Sequence, residues 1–120
     1  MWLEYNENPQ IHRVGDCTIR AISTATGQDW KQTYIGICIK GYDMCDMPSA
    51  NAVWGAYLID KGFRKYPLNN ICTVKEFCTA NPYGVYVLAL QAHVICVING
   101  NYIDTWDSGD EYIVNVWSRE

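Results

Sequence analysis

The sequence contains no Cys-x-x-Cys pair, although it holds six cysteines: Cys17, Cys38, Cys45, Cys72, Cys78 and Cys96. A zinc centre needs four convergent ligands, usually with such a pair, so no metal or other cofactor is expected. No apolar run approaches the ~18 residues of a membrane span. The opening stretch, "MWLEYNENPQ", carries acids where a secretory leader would place basic residues ahead of an apolar core. The expectation is therefore a cytoplasmic protein with reduced thiols and no membrane partner. Basic residues are scarce, nine Lys and Arg against thirteen Asp and Glu, for a net charge of −4. With a pI near 5.0 there is no electrostatic footprint for nucleic acid. Repeats, low-complexity tracts and linkers are also missing.

What is present suits one domain over residues 1–120. Apolar residues make up 49% and charged residues 18%, enough for a single hydrophobic core. Five Trp and nine Tyr add large buried area and aromatic walls for a groove. Asp16 is a plausible N-cap, and Ile19, Ile22 and Ala25 recur on one helical face until Gly27. Asp29 and Gln32 resemble a capping box opening a second helix to about Ile39, with Gly41 as its stop. "YDMCDMPS" reads as an acidic loop in which Asp43 and Asp46 could meet a basic substrate. Ser49 caps a third helix over about 50–61, and Thr73 with Glu76 boxes a fourth that "NP" at 81–82 ends.

After Pro82 the period changes to that of strands. "VYVLAL", "HVICVI", "YIDTW" and "YIVNVW" are divided by "QA", "NGN" and "SGDE", and "WLEY" at 2–5 is a further short candidate. "NG" at 99–100 signals a two-residue type I′ turn, which needs positive φ at both positions. Helices first and an antiparallel meander afterwards predict an α+β fold.

The turn also fixes a register. If Asn99 and Gly100 form the loop, Ile98 pairs with Asn101, Ile95 with Asp104 and His93 with Trp106. His93, Asp104 and Trp106 then share one side, with Asp104 diagonal to His93 and within reach of its ring. Asp107 falls on the opposite face, and His12 is a loop histidine without a role. A carboxylate beside a histidine fixes its tautomer and stabilises the imidazolium. A cysteine at a helix start gains from the macrodipole and from a nearby His⁺. Cys17 as nucleophile, His93 as proton shuttle and Asp104 as orienting acid follow from these placements. The other thiols read as structural, Cys96 in mid-strand and Cys38 within an apolar helix among them.

At these residues the chain resembles a compact papain-like cysteine peptidase of phage or bacterial type. "GDCTIRA" resembles the family's G-x-C step into its central helix, and "HVICVINGNYIDTWDSG" is similar to its His strand followed by an Asn-Ser-Trp triplet. Asp104-Thr105-Trp106 stands in place of that triplet. The resemblance implies N-terminal helices packed on a C-terminal antiparallel sheet, with Asp104 orienting His93 and Trp106 shielding their bond. Asp16 supports the nucleophile. Larger members carry a Gln six residues before the Cys for the oxyanion hole, but position 11 is Ile, which leaves Gln10 or Asn8 as candidates. The implied activity is hydrolysis of a peptide or isopeptide bond through a thioester, on a peptide or protein substrate, a host protein included. Three alternatives stand beside it. One is an acyltransferase using the same triad, and another is a non-catalytic interaction protein of this fold, such as a phage-encoded inhibitor of a host factor. The third is a disulfide-stabilised structural protein.

Overall fold

Each helix forms where an apolar stripe and a terminal signal coincide, in a computed structural model that describes residues 1–119. Helix α1 spans Cys17–Thr26 and ends on Gly27, whose φ of 72° places it in the left-handed region that glycine enters freely. Helix α2 spans Trp30–Met44, opened by the Asp29 carboxylate, which accepts the Gln32 N–H at 2.7 Å. It runs past Gly41, the expected stop. Gly41 is instead a point of close approach: a Cβ there would sit 2.9 Å from the Asp46 carbonyl oxygen. The left-handed residue that ends the helix is Cys45, at φ 54°, so the first part of "YDMCDMPS" is helical rather than loop.

Helix α3 spans Asn51–Asp60 with Ala50, not Ser49, at its N-cap and no side-chain cap bond. Helix α4 spans Val74–Ala80 and carries the complete Thr73/Glu76 capping box. Its N–H and carboxylate partners sit at 3.2 and 2.9 Å.

The strands are β1 (Trp2–Glu4), β2 (Phe63–Tyr66), β3 (Val85–Leu90), β4 (His93–Ile98), β5 (Asn101–Asp104) and β6 (Ile113–Arg119). They form one six-stranded sheet in the order β1-β5-β4-β3-β6-β2. The sheet is mixed, not purely antiparallel, because β1 runs parallel to β5 at one edge. Nor is it wholly C-terminal, since β2, from between α3 and α4, closes the other edge against β6. Sequence reasoning missed β2. Only Phe63 of "FRKY" is buried, so the segment lacks the alternation that marks a strand.

The β4–β5 turn has the expected form, with φ of 49° at Asn99 and 76° at Gly100. Ile98 pairs with Asn101, and Cys96 with Ile103. Strand β4 is buried on both faces. Val94 and Cys96 join α1, α2 and α3 residues such as Ile22, Ile37 and Leu58 in one core. Ile95 and Val97 join Val74 and Phe77 of α4 in the other. Period-two alternation within an apolar run produces this double burial. Because β4 and β5 are antiparallel, the first residue of one and the last of the other meet at the same end of the sheet. Among the described residues no helix is long and apolar enough to cross a membrane.

Candidate active site

His93 opens β4 and Asp104 closes β5, so two residues eleven apart in sequence are held side by side. His93 Nε2 donates to Asp104 Oδ2 at 2.7 Å. Cys17 opens α1 close enough to the imidazole that each side chain shifts the titration of the other. The Val94 backbone and the Thr18 side chain also favour the Cys17 thiolate. Trp106 stacks at a tilt on the imidazole, with ring centroids 5.1 Å apart, and remains 43% exposed. Sulfur, imidazole and carboxylate thus lie together at a helix N-terminus, the last two joined by a hydrogen bond.

Asp104 is 1% exposed and uses both oxygens. Oδ2 accepts from His93 and from the Ser108 hydroxyl at 2.8 Å. Oδ1 accepts the Thr105 N–H at 2.8 Å and faces Arg20 Nη1 at 3.4 Å. Arg20 is itself buried, and its Nε donates to Asp16 Oδ1 at 2.8 Å. Asp16 therefore caps no helical N–H with its side chain. It accepts instead from Arg20, from the Trp30 indole at 2.9 Å and from the Asn8 amide at 3.4 Å. One buried cation joins the acid before Cys17 to the acid behind His93.

Compared with protein-family models, curated proteins and solved structures, the chain gives no significant match.

Burial pushes the Cys17 thiol up, but the hydrogen bonds to His93 and Val94 and the imidazolium charge outweigh it, and the net shift is downward. Burial would lower His93, yet the hydrogen bonds to Asp104 and Cys17 and their negative charges raise it to about 9. Burial also opposes ionisation of Asp104, and the bonds from His93 and Ser108 reverse this and hold it below its ordinary value. Both shifts act in the direction of a thiolate–imidazolium pair. Part of the His93 shift comes from Cys17, so Cys17→Ser should make His93 titrate clearly below about 9. Following the imidazole carbon-bound proton by NMR across pH 5–10 checks this, and an unchanged titration would show that the two side chains are not coupled.

The remaining candidates are placed as follows. Asn8 is buried with its amide on Asp16, while Gln10 is exposed and its backbone N–H bonds to Asn8 Oδ1 at 2.9 Å. His12 is exposed in the loop ahead of α1. Asp107 accepts the Tyr102 hydroxyl at 2.5 Å, away from His93. Cys78 and Cys96 are buried, Cys17, Cys38 and Cys72 half-buried, and Cys45 exposed, all unpaired. Burial drives the Cys96 thiol far above the ordinary range, the opposite of Cys17. Arg20 and Ser108 escaped sequence reasoning. The four-residue spacing of Asp16 and Arg20 on a helix was a usable signal for their pairing, whereas nothing near Ser108 pointed to Asp104.

Proposed function

We propose that the protein is a papain-like thiol hydrolase that cleaves a peptide or isopeptide bond through Cys17, His93 and Asp104. The observation that supports it is the His93 imidazole, hydrogen-bonded to a buried carboxylate and electrostatically coupled to Cys17. Cys17 is also the first residue of a ten-residue helix, where the macrodipole favours a thiolate.

In the acylation step the thiolate attacks the carbonyl carbon and forms a C–S bond. The N–H of Cys17, at the helix start, is placed to donate to the developing oxyanion. As the C–N bond breaks, the His93 imidazolium gives its proton to the leaving amine. Neutral His93 then takes a proton from water, whose oxygen attacks the thioester. The C–S bond breaks, the acid departs and the thiolate–imidazolium pair is restored. Asp104 holds the ring throughout by its 2.7 Å bond. An amine entering in place of water would make the same intermediate an acyl-transfer agent, distinguished by the mass of the product.

Cys17→Ala should lower turnover of any peptide cleaved by the wild type by about 10⁴-fold or more. Full turnover by that variant overturns the proposal. A second reading, a non-catalytic binder of a host factor, draws on the exposed Ile35, Ile39 and Tyr42 of α2. A stoichiometric partner held equally by the wild type and Cys17→Ala, with no cleavage of it, would favour that reading.

A further inference from the structure

Helix α2 is apolar on the side that packs into the molecule and apolar again on the side that faces solvent. Thr33, Ile37 and Gly41 form its buried face. Ile35, Ile39 and Tyr42 lie on the opposite face, each more than half exposed. At 3.6 residues per turn these three fall within an arc of about 60°, so they form one outward stripe. A helix that is apolar all round belongs in a buried setting. With Tyr34 on its flank the stripe offers on the order of 500 Å², large for an apolar patch on a monomer. Two copies would bury about 1,000 Å² together, the lower limit for a specific interface.

The charges along α2 oppose its own dipole. Lys31 stands in the first turn, at the positive end, and Asp43 in the last turn, at the negative end, with Asp46 just beyond. Apart from the Asp29 cap, this is the reverse of the arrangement that stabilises a lone helix. Among the described residues neither Lys31 nor Asp43 has an ion-pair partner. Lys40, the other cation of the helix, is committed to Asp60 of α3 at 2.7 Å.

A second copy laid antiparallel along the stripe resolves both features. With Ile35 of one helix against Tyr42 of the other, the two Ile39 side chains meet near the centre. Lys31 of each copy then comes to the Asp43 and Asp46 end of its mate, and opposite ends of the two dipoles lie side by side. A parallel pair would set Lys31 on Lys31 and acid on acid. Each chain carries a net charge of −4, which opposes approach, so the paired charges select the orientation. We propose that the protein forms a two-fold homodimer through the outward stripe of α2, with the two helices antiparallel. The dimer goes beyond the hydrolase reading and holds whether or not Cys17 is a nucleophile.

Sedimentation velocity tests it, in reducing buffer so that the exposed Cys45 cannot cross-link copies. The wild type should pass from monomer to dimer as concentration rises, with a dissociation constant on the order of 100 µM. Ile39→Lys should weaken the dimer by about 10-fold or more, although it removes one unit of net negative charge and so reduces repulsion. Lys31→Glu, and separately Asp43→Lys with Asp46→Lys, should each weaken it by about 5- to 10-fold. Combining all three substitutions should restore it, because the pairs re-form with their signs reversed. Every substituted position is exposed, and unchanged urea unfolding midpoints show that the variants remain folded. A wild type that stays monomeric up to about 500 µM overturns the proposal and leaves the stripe to a different protein. A dimer that survives Ile39→Lys also overturns it, because the interface is then elsewhere. A dimer that Ile39→Lys dissolves, but that Lys31→Glu leaves intact or the combined variant fails to restore, overturns the antiparallel arrangement.

Discussion

Replacing His93 with alanine is expected to move the alkylation midpoint of Cys17 from below the ordinary thiol value to about 8.5 or above. In the wild type, burial disfavours the thiolate and only the bonds and charge around it reverse that effect, with His93 the leading contributor. Without the imidazole, burial prevails. The midpoint is the decisive quantity, because a thiolate of lower pKa is also less nucleophilic, with a Brønsted slope of about 0.4–0.5. Rates at neutral pH partly cancel, whereas rates below pH 6 should fall steeply. Asp104→Asn keeps a hydrogen-bonding group beside the ring without the charge and should shift the midpoint part of the way. Iodoacetamide labelling from pH 4 to 9, read at the Cys17 peptide, measures all three proteins. A His93→Ala midpoint equal to that of the wild type would remove the basis for an activated thiol.

The same shift has a signature in stability. His93 is raised in the folded state from 6.5 to about 9. Its contribution is therefore full below about 6.5, and it is lost as the pH rises to about 9. In His93→Ala that decline should be missing from urea denaturation midpoints collected across this window.

Arg20→Met should destabilise the fold by about 3–5 kcal/mol, the range seen when one partner of a buried ion pair is removed. Asp16 and Asp104 are both buried, and Arg20 is the cation between them, 2.8 Å from one and 3.4 Å from the other. Asp16 would retain the Trp30 and Asn8 donors, and Asp104 the donors from Thr105, Ser108 and His93. The two negative charges would nevertheless face each other across an apolar methionine. Arg20→Met combined with Asp16→Asn should recover part of the loss, because one of those charges is gone. Urea unfolding of the wild type and the two variants gives the comparison. A loss below about 1 kcal/mol for Arg20→Met would place the pair in the range of surface ion pairs.

Local signals were legible wherever the deciding atoms lie within a few residues of each other. The Thr73/Glu76 box, the Gly27 cap and the Asn99-Gly100 turn are of this kind, since each is settled by short-range hydrogen bonds or by φ. The turn in turn placed His93 and Asp104 together, because a two-residue hairpin propagates its register inward through strict alternation. Gly41 misled for the converse reason. By itself a glycine after an apolar helix reads as a stop, and only the returning chain at Asp46 makes it a contact point.

From the sequence alone follow the α+β class, the four helices, the main hairpin and the pairing of a helix-start cysteine with a His–Asp strand pair. The tertiary structure alone decided that the sheet is mixed, with β1 parallel to β5 and β2 at the far edge. It alone brought Arg20 between Asp16 and Asp104, set Ser108 on Asp104 and closed a pocket between α1 and α2. Spacing and propensity act along the chain, over a turn or a hairpin. Edge pairing, buried ion pairs and cavities depend on surfaces that meet only after the helices have packed on the sheet, so no short window of sequence contains them.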